Sequence, residues 1–222
     1  MPYKLTYFDL PALAEPIRLL FILGDIEWKN ITPTFDEWAK IKDTTKWGQL
    51  PILTNSENVE MTQSKSILRY LGKKVIYDGM PLYPDGEIIN DFEAYKIDEM
   101  IDAFEDLRIL IIPTYAIIDQ AEKEAARLEL VSKDGKMYEL LKKLEKECGD
   151  NFIVCDFLTI ADLWVYMLLN FFRCGFYDGI PNDYLSDFPK LTNVINNVKK
   201  IPLINKYVTE KASKNDYYKC LL

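Results

Sequence analysis

Hydrophobic and polar positions divide this chain into two stretches of different texture. Tyr3 to Tyr7 alternates, with Leu5 and Tyr7 on one face, and predicts a short strand. Glu15 to Leu23 carries Ile17, Leu20, Phe21 and Ile22 at helical spacing, with Gly24 as a stop. Ile26 to Ile31 reads as a second strand, and the connection is long enough for a parallel pair. Pro51 to Thr54 and Val59 to Met61 flank a polar Asn55-Ser56-Glu57-Asn58 turn, which predicts a hairpin. A helix follows from Ser64 to Lys74, with Ile67, Leu68 and Leu71 along one side. The first stretch is therefore β-α-β followed by β-β-α, with a mixed sheet.

Asp78 to Gly86 is a Pro/Gly cluster and reads as a linker. Beyond it strand signals fade, and helical spacing predicts helices over Glu87–Ile112, Gln120–Cys148, Ile160–Phe172 and Lys190–Lys200. Pro113 should end or bend the first of these. Thr159 with Asp162 three residues later forms a capping box for the third, a folding device and not a functional site. No internal repeat or low-complexity tract is present.

Composition narrows the chemistry. The 222 residues include no histidine, so no Ser-His-Asp or Cys-His system and no His-ligated zinc site can exist. Acid–base work must fall to Tyr, Cys, Lys, Asp or Glu. The net charge of −8 argues against nucleic acid and anionic membrane partners. Cys148, Cys155, Cys174 and Cys220 form no C-x-x-C pair, and reduced thiols of a cytoplasmic protein are expected. The apolar run Leu163–Phe172 is about half of the ~20 residues a membrane span needs. No targeting segment is expected from the first residues, MPYKLTYF. The Asn30-Ile31-Thr32 sequon is read as coincidence.

An ordered set of short motifs spans nearly the whole chain. It runs Tyr7-Phe8, Ala14-Glu15-Pro16-Ile17-Arg18, Trp38, Gly48-Gln49-Leu50-Pro51, Gln63-Ser64 and Arg69-Tyr70-Leu71. It continues through Phe152-Ile153-Val154 with Asp156, Thr159-Ile160-Ala161-Asp162 and Phe188-Pro189-Lys190-Leu191. In order and spacing this set resembles the cytosolic glutathione transferases that use a tyrosine, of the sigma, pi and mu classes. The resemblance implies an α/β thioredoxin-like N-terminal domain over residues 1–77 and an all-helical domain over 85–222. It implies a homodimer that joins the glutathione thiolate to hydrophobic electrophiles in detoxification, with glutathione as co-substrate and no further cofactor.

The resemblance also implies roles, each set beside a plainer reading of the same residue. Tyr7, ending the first strand, would donate its hydroxyl to the glutathione sulfur, although most of the 14 tyrosines should be packing residues. Gln49 and Leu50, with Pro51 in the cis form, would pair with the cysteinyl unit; otherwise Pro51 simply starts a strand. Ser64 and Gln63 would hold the γ-glutamyl carboxylate where a helix begins, a place where Ser64 also serves as an N-cap. Trp38 and Lys42, four apart on a short helical segment, would hold the glycyl carboxylate. Phe8, Leu10, Leu13 and Tyr115 would wall the electrophile pocket, and equally suit a core.

Asp98, Asp102, Glu105 and Asp106 form an acidic stripe whose like charges need compensation. By resemblance Asp106 crosses the dimer interface to the γ-glutamyl amine. The matching acids of the sigma-class prostaglandin D synthase can hold a divalent cation. A solvated acidic face explains the stripe as well, and no metal is assigned. Two departures stand out. Pro11-Ala12 replaces the usual Arg-Gly, and Leu13 stands where sigma and human pi enzymes carry an arginine that tunes the thiolate. A glutathione-dependent prostaglandin-type isomerase and a non-catalytic, crystallin-like ligand carrier are the alternatives; lack of the synthase's Trp near Thr114 weighs against the first.

Overall fold

A computed structural model describes residues 2–84, 86 and 90–222. Strand β1 (Tyr3–Thr6) runs into a short 3-10 turn and helix α1 (Glu15–Leu23), which Gly24 closes. Strand β2 (Trp28–Ile31), helix α2 (Phe35–Ile41), strands β3 (Ile52–Thr54) and β4 (Glu60–Thr62), and helix α3 (Ser64–Gly72) follow. The sheet order is β2-β1-β3-β4. β1 pairs with β2 in parallel and with β3 antiparallel, and β3 and β4 form the hairpin. Leu5 and Tyr7 are both buried, as the alternation requires.

The Pro/Gly cluster is more ordered than a linker. Strands β5 (Ile76–Tyr77) and β6 (Met80–Pro81) pair across Asp78 and Gly79, both with positive φ. Leu82 and Tyr83 then bury themselves, and the Leu82 carbonyl accepts from the Ile160 N–H at 2.9 Å. Gly72 permits this junction, since a Cβ there would lie 2.7 Å from Ile160 Cγ2 and 2.9 Å from Tyr83 Cβ. The expected domain start at residue 85 and helix start at Glu87 lie outside the described residues.

The remainder is helical: α4 (Asp91–Ile111), α5 (Gln120–Val131), α6 (Lys136–Glu147), α7 (Ile160–Arg173), α8 (Pro189–Lys200) and α9 (Pro202–Ala212). Pro113 does end α4, in a 3-10 turn over Ile112–Ala116. The single helix expected over Gln120–Cys148 is two. The chain turns at Ser132–Gly135, where a Cβ on Gly135 would lie 2.3 Å from the Glu129 and Leu130 carbonyl oxygens. Helix α9 was not anticipated, although Pro202 at its first position and buried Ile204, Val208 and Ala212 carry a helix signal.

Helix α7 is apolar on every side and buried from Ile160 to Phe172, so it forms the centre of the molecule. Its start is fixed as the capping box predicts. Asp162 accepts from the Ile153 N–H at 2.6 Å, the Thr159 N–H at 2.7 Å and the Thr159 hydroxyl at 2.8 Å. Helix α1 packs against α3, α7 and α9, which ties the sheet region to the helical region.

Candidate functional site

A cleft of ≈ 500 Å³ opens beside the carboxyl end of β1. Tyr7, Phe8 and Leu13 reach it from β1 and the following loop, and Trp38 from α2. Trp47, Gln49, Leu50 and Pro51 come from the segment before β3, in which the Leu50–Pro51 bond is cis. Thr62 to Ser66 and Arg69 come from the turn into α3, Glu105 and Arg108 from α4, and Trp164 from α7.

The turn into α3 is unusual. Gln63 holds φ +70°, a conformation that costs a non-glycine residue on the order of 1–3 kcal/mol and concentrates at functional sites. Gln63 occupies the N-cap position but makes no side-chain cap. Ser64 is therefore the first helical residue, not the cap that its residue type suggested. The first amides of α3 have no partner within the helix, and its positive end faces the cleft. The arrangement favours an anion there.

Tyr7 lies at the junction with a second cavity of ≈ 160 Å³. Tyr7, Leu13 and Arg108 line both, and Ala12, Tyr115, Met167, Leu168, Phe171, Phe176 and Tyr177 complete the smaller one. Burial raises the Tyr7 phenol above its ordinary range, against the Leu13 backbone hydrogen bond and the charges of Arg18 and Arg108. Near pH 7 the hydroxyl keeps its proton and can donate it to a bound atom. Leu13 contributes no charge here; positive charge reaches Tyr7 from two other places. The Arg18 guanidinium carbon is 5.8 Å from the Tyr7 ring centroid, and Arg108 approaches from α4.

Arg18 also builds the loop that carries these residues. It is buried and donates to the Phe8 carbonyl at 3.1 Å, the Leu10 carbonyl at 2.8 Å and the Glu15 carboxylate at 3.0 Å. It reaches the C-terminal segment through Tyr218 Oη at 3.0 Å and the sheet through Asn30 Oδ1 at 3.3 Å. Ala12 stands in this loop with φ +66°, a conformation natural to glycine.

Of the residues singled out in the sequence, Tyr7, Phe8, Leu13, Trp38, Gln49, Leu50, Pro51, Gln63 and Ser64 line the larger cleft, and Tyr115 the smaller cavity. Leu10, Lys42 and Asp106 line neither. Leu10 packs against the core and gives its carbonyl to Arg18, whereas Lys42 and Asp106 are exposed. The acidic stripe finds compensating cations. Lys65 Nζ lies 2.5 Å from Asp102 and Arg69 Nε 2.6 Å from Asp98, both from α3, and Arg108 pairs with Glu105. Sequence reasoning missed Trp47, Arg69, Arg108 and Trp164 as site residues. Trp47, directly before the Gly48-Gln49-Leu50-Pro51 motif, and Arg69, within the Arg69-Tyr70-Leu71 motif, carried a local signal.

Comparison with known proteins completes the description. A family model, glutathione S-transferase, C-terminal domain, matches residues 105–211. The chain is 32% identical over 216 residues to glutathione S-transferase 4 of Caenorhabditis elegans, covering 94% of this chain and 96% of that protein. It is 32% identical over 214 residues to glutathione S-transferase P 1 of Xenopus laevis, covering 95% and 93%. The solved prostaglandin synthase D of Nilaparvata lugens superposes with a TM-score of 0.80 at 26% identity, covering 95% and 98%.

Proposed function

The chain belongs to the glutathione S-transferase family, and on that footing we propose that its larger cleft binds glutathione with the thiol at the Tyr7 hydroxyl. The observation that carries this reading is the protonated, buried Tyr7 at the junction of two cavities. One cavity contains a helix N-terminus suited to a carboxylate; the other is mostly apolar. A free thiol has a pKa of about 8.5, so little of it is thiolate at pH 7. Lowering that value by about 2 units stabilises the thiolate by about 2.7 kcal/mol. A neutral phenol that donates to sulfur supplies part of this, and the Arg18 and Arg108 charges act in the same direction.

Ser64 and the free amides of α3 take the γ-glutamyl carboxylate, with Gln63 beside them. Gln49 and Leu50 hold the cysteinyl unit ahead of Pro51, and Trp38 the glycyl end. Holding the tripeptide turns a bimolecular attack into a nearly unimolecular one. Phe8, Leu13 and Tyr115 contact an apolar electrophile. No cofactor beyond glutathione enters this scheme. The protein works as a cytoplasmic detoxifying C2 homodimer in which Asp106 of each subunit completes the neighbour's site. Among the described residues no helix is long and apolar enough to cross a membrane. The likeness to a prostaglandin synthase D favours one further assay, isomerisation of a prostaglandin endoperoxide with glutathione.

Tyr7→Phe tests the central claim. The variant keeps the ring and loses the donor, so the bound thiol's pKa should rise by about 1–2 units. Conjugation at pH 7 should fall by about 10–100-fold, partly offset because a more basic thiolate is a better nucleophile. The ultraviolet absorbance of the thiolate, titrated in both proteins, reads the shift. Equal midpoints in two equally folded proteins would make Tyr7 a packing residue.

A further inference from the structure

The four cysteines are not alike. Cys148 and Cys155 are pushed up to about 12, chiefly by burial, and stay protonated. Cys174 and Cys220, far apart in sequence, form a pair. Cys174 caps the end of α7, and Cys220 stands in the 3-10 turn Asp216–Leu221, which packs against α7. The Tyr166 hydroxyl of α7 donates to the Leu221 carbonyl at 2.7 Å and fixes that turn beside the helix. Cys174 Sγ lies 3.8 Å from the Phe171 carbonyl, and Cys220 Sγ 3.0 Å from the Tyr217 carbonyl. Both thiols are free and half-buried, and each is the largest single influence on the acidity of the other. Cys174 is brought down to about 7 by Cys220, against burial, with the Phe176 N–H and the Arg173 charge acting in the same direction. Cys220 is pushed up, first by Cys174 and then by burial. One thiol is thus a ready nucleophile and the other a protonated neighbour.

We propose that Cys174 and Cys220 are a reversible dithiol–disulfide pair, oxidised by small disulfides such as glutathione disulfide, whose bond fastens the Asp216–Leu221 turn to α7. The Cys174 thiolate attacks one sulfur of glutathione disulfide. A protein–glutathione S–S bond forms, the original S–S bond breaks, and a glutathione thiolate leaves. Cys174 then carries no charge, so the chief cause that held the proton on Cys220 is gone. Cys220 loses its proton, its sulfur attacks that of Cys174, and a second glutathione thiolate leaves. Two protein thiols are oxidised and one glutathione disulfide is reduced to two glutathione molecules, whose thiolates take up the two protons. In a compartment that keeps thiols reduced, such a bond forms only when the small disulfide accumulates. Its consequence reaches the loop after β1. The fastened turn carries Tyr218, whose hydroxyl accepts from Arg18 at 3.0 Å, and the side-chain amide of Asn215, just before it, donates to the Asp9 carbonyl at 2.8 Å.

The test treats reduced wild type with glutathione disulfide, digests it without reductant and maps the thiols by mass spectrometry. A Cys174–Cys220 cross-linked peptide should appear, with Cys148 and Cys155 unmodified. Tm should rise by about 4–16 °C, as a typical disulfide gives in a chain of this length, and fall back on reduction with dithiothreitol. Cys220→Ser should stop at glutathione bound to Cys174, Cys174→Ser should leave Cys220 free, and neither variant should gain Tm. A wild type that retains glutathione on Cys174 without the cross-link would overturn the proposal. So would a native protein left unmodified under conditions in which the urea-unfolded chain reacts, or a cross-link that lowers Tm. None of these outcomes bears on the glutathione cleft, which Tyr7→Phe tests separately.

Discussion

Arg18 is the structural element on which the site depends most directly, and Arg18→Met measures how much. The guanidinium is 1% exposed and makes five hydrogen bonds, to Phe8, Leu10, Glu15, Asn30 and Tyr218. Glu15 is fully buried, and its second oxygen has no hydrogen-bond partner among the described residues. Burial raises the Glu15 carboxyl above the usual range, and the Arg18 charge opposes that shift. Removing Arg18 leaves a buried acid and two loop carbonyls unpaired. Breaking a buried pair from one side costs about 3–5 kcal/mol. For a chain of this length, 1 kcal/mol shifts Tm by about 2–4 °C, so the loss should be roughly 6–20 °C. Glu15→Gln/Arg18→Met removes the orphaned charge and should recover part of the loss, giving a coupling energy of at least about 1 kcal/mol in a double-mutant cycle. Calorimetry gives Tm, and near-ultraviolet circular dichroism reports whether the aromatic packing survives. A single variant within about 1 kcal/mol of wild type, or two strictly additive substitutions, would refute the assignment of Arg18 as the clamp of this loop.

Three further outcomes are expected. Ser64→Ala removes one hydrogen bond to a charged group, worth about 1.5–3 kcal/mol, so glutathione affinity by titration calorimetry should fall tenfold or more; unchanged affinity places the carboxylate elsewhere. If Asp106 completes a partner's site, sedimentation should give about twice 25.9 kDa, and an active monomer would exclude that role. Burial lifts the Asp162 carboxyl from 3.8 to about 6, so its native form binds more protons than its unfolded form between those values. Its stabilising contribution is complete below about pH 4 and lost as pH rises through about 6, by up to about 3 kcal/mol. Urea midpoints of wild type should lose ground to Asp162→Asn across that window, and parallel profiles would contradict the shift.

Local patterns were readable where a short segment settles its own structure. Alternation placed Leu5 and Tyr7 on the buried face of β1, and spacing with a terminal glycine marked α1. The patterns gave way where distant parts meet. Asp78 to Pro84 looks like a linker because it is rich in turn residues, yet Leu82 and Tyr83 become core once α7 packs beside them. The break between α5 and α6 depends on Gly135 approaching the backbone of the preceding helix, a contact that helical periodicity does not encode.

The same division holds for the site. Tyr7, Phe8 and Leu13 lie within one short stretch, and the cleft residues before β3 and at the start of α3 belong to compact motifs, so their grouping was legible. Arg108 was not. In sequence it only closes an acidic run on α4, and the pairs from Lys65 and Arg69 to that run appear only when α3 is laid against α4. Leu13 in place of an arginine suggested a site short of positive charge. Folding brings Arg108 and Arg18 toward Tyr7 from two other elements, so the charge is supplied by a different route. A loop arginine would share the mobility of its loop. Arg108 sits on a 21-residue helix, with Phe104, Leu107 and Ile111 buried on either side of it and Glu105 holding its fork. That mounting fixes the direction as well as the charge of a donor that lines both cavities.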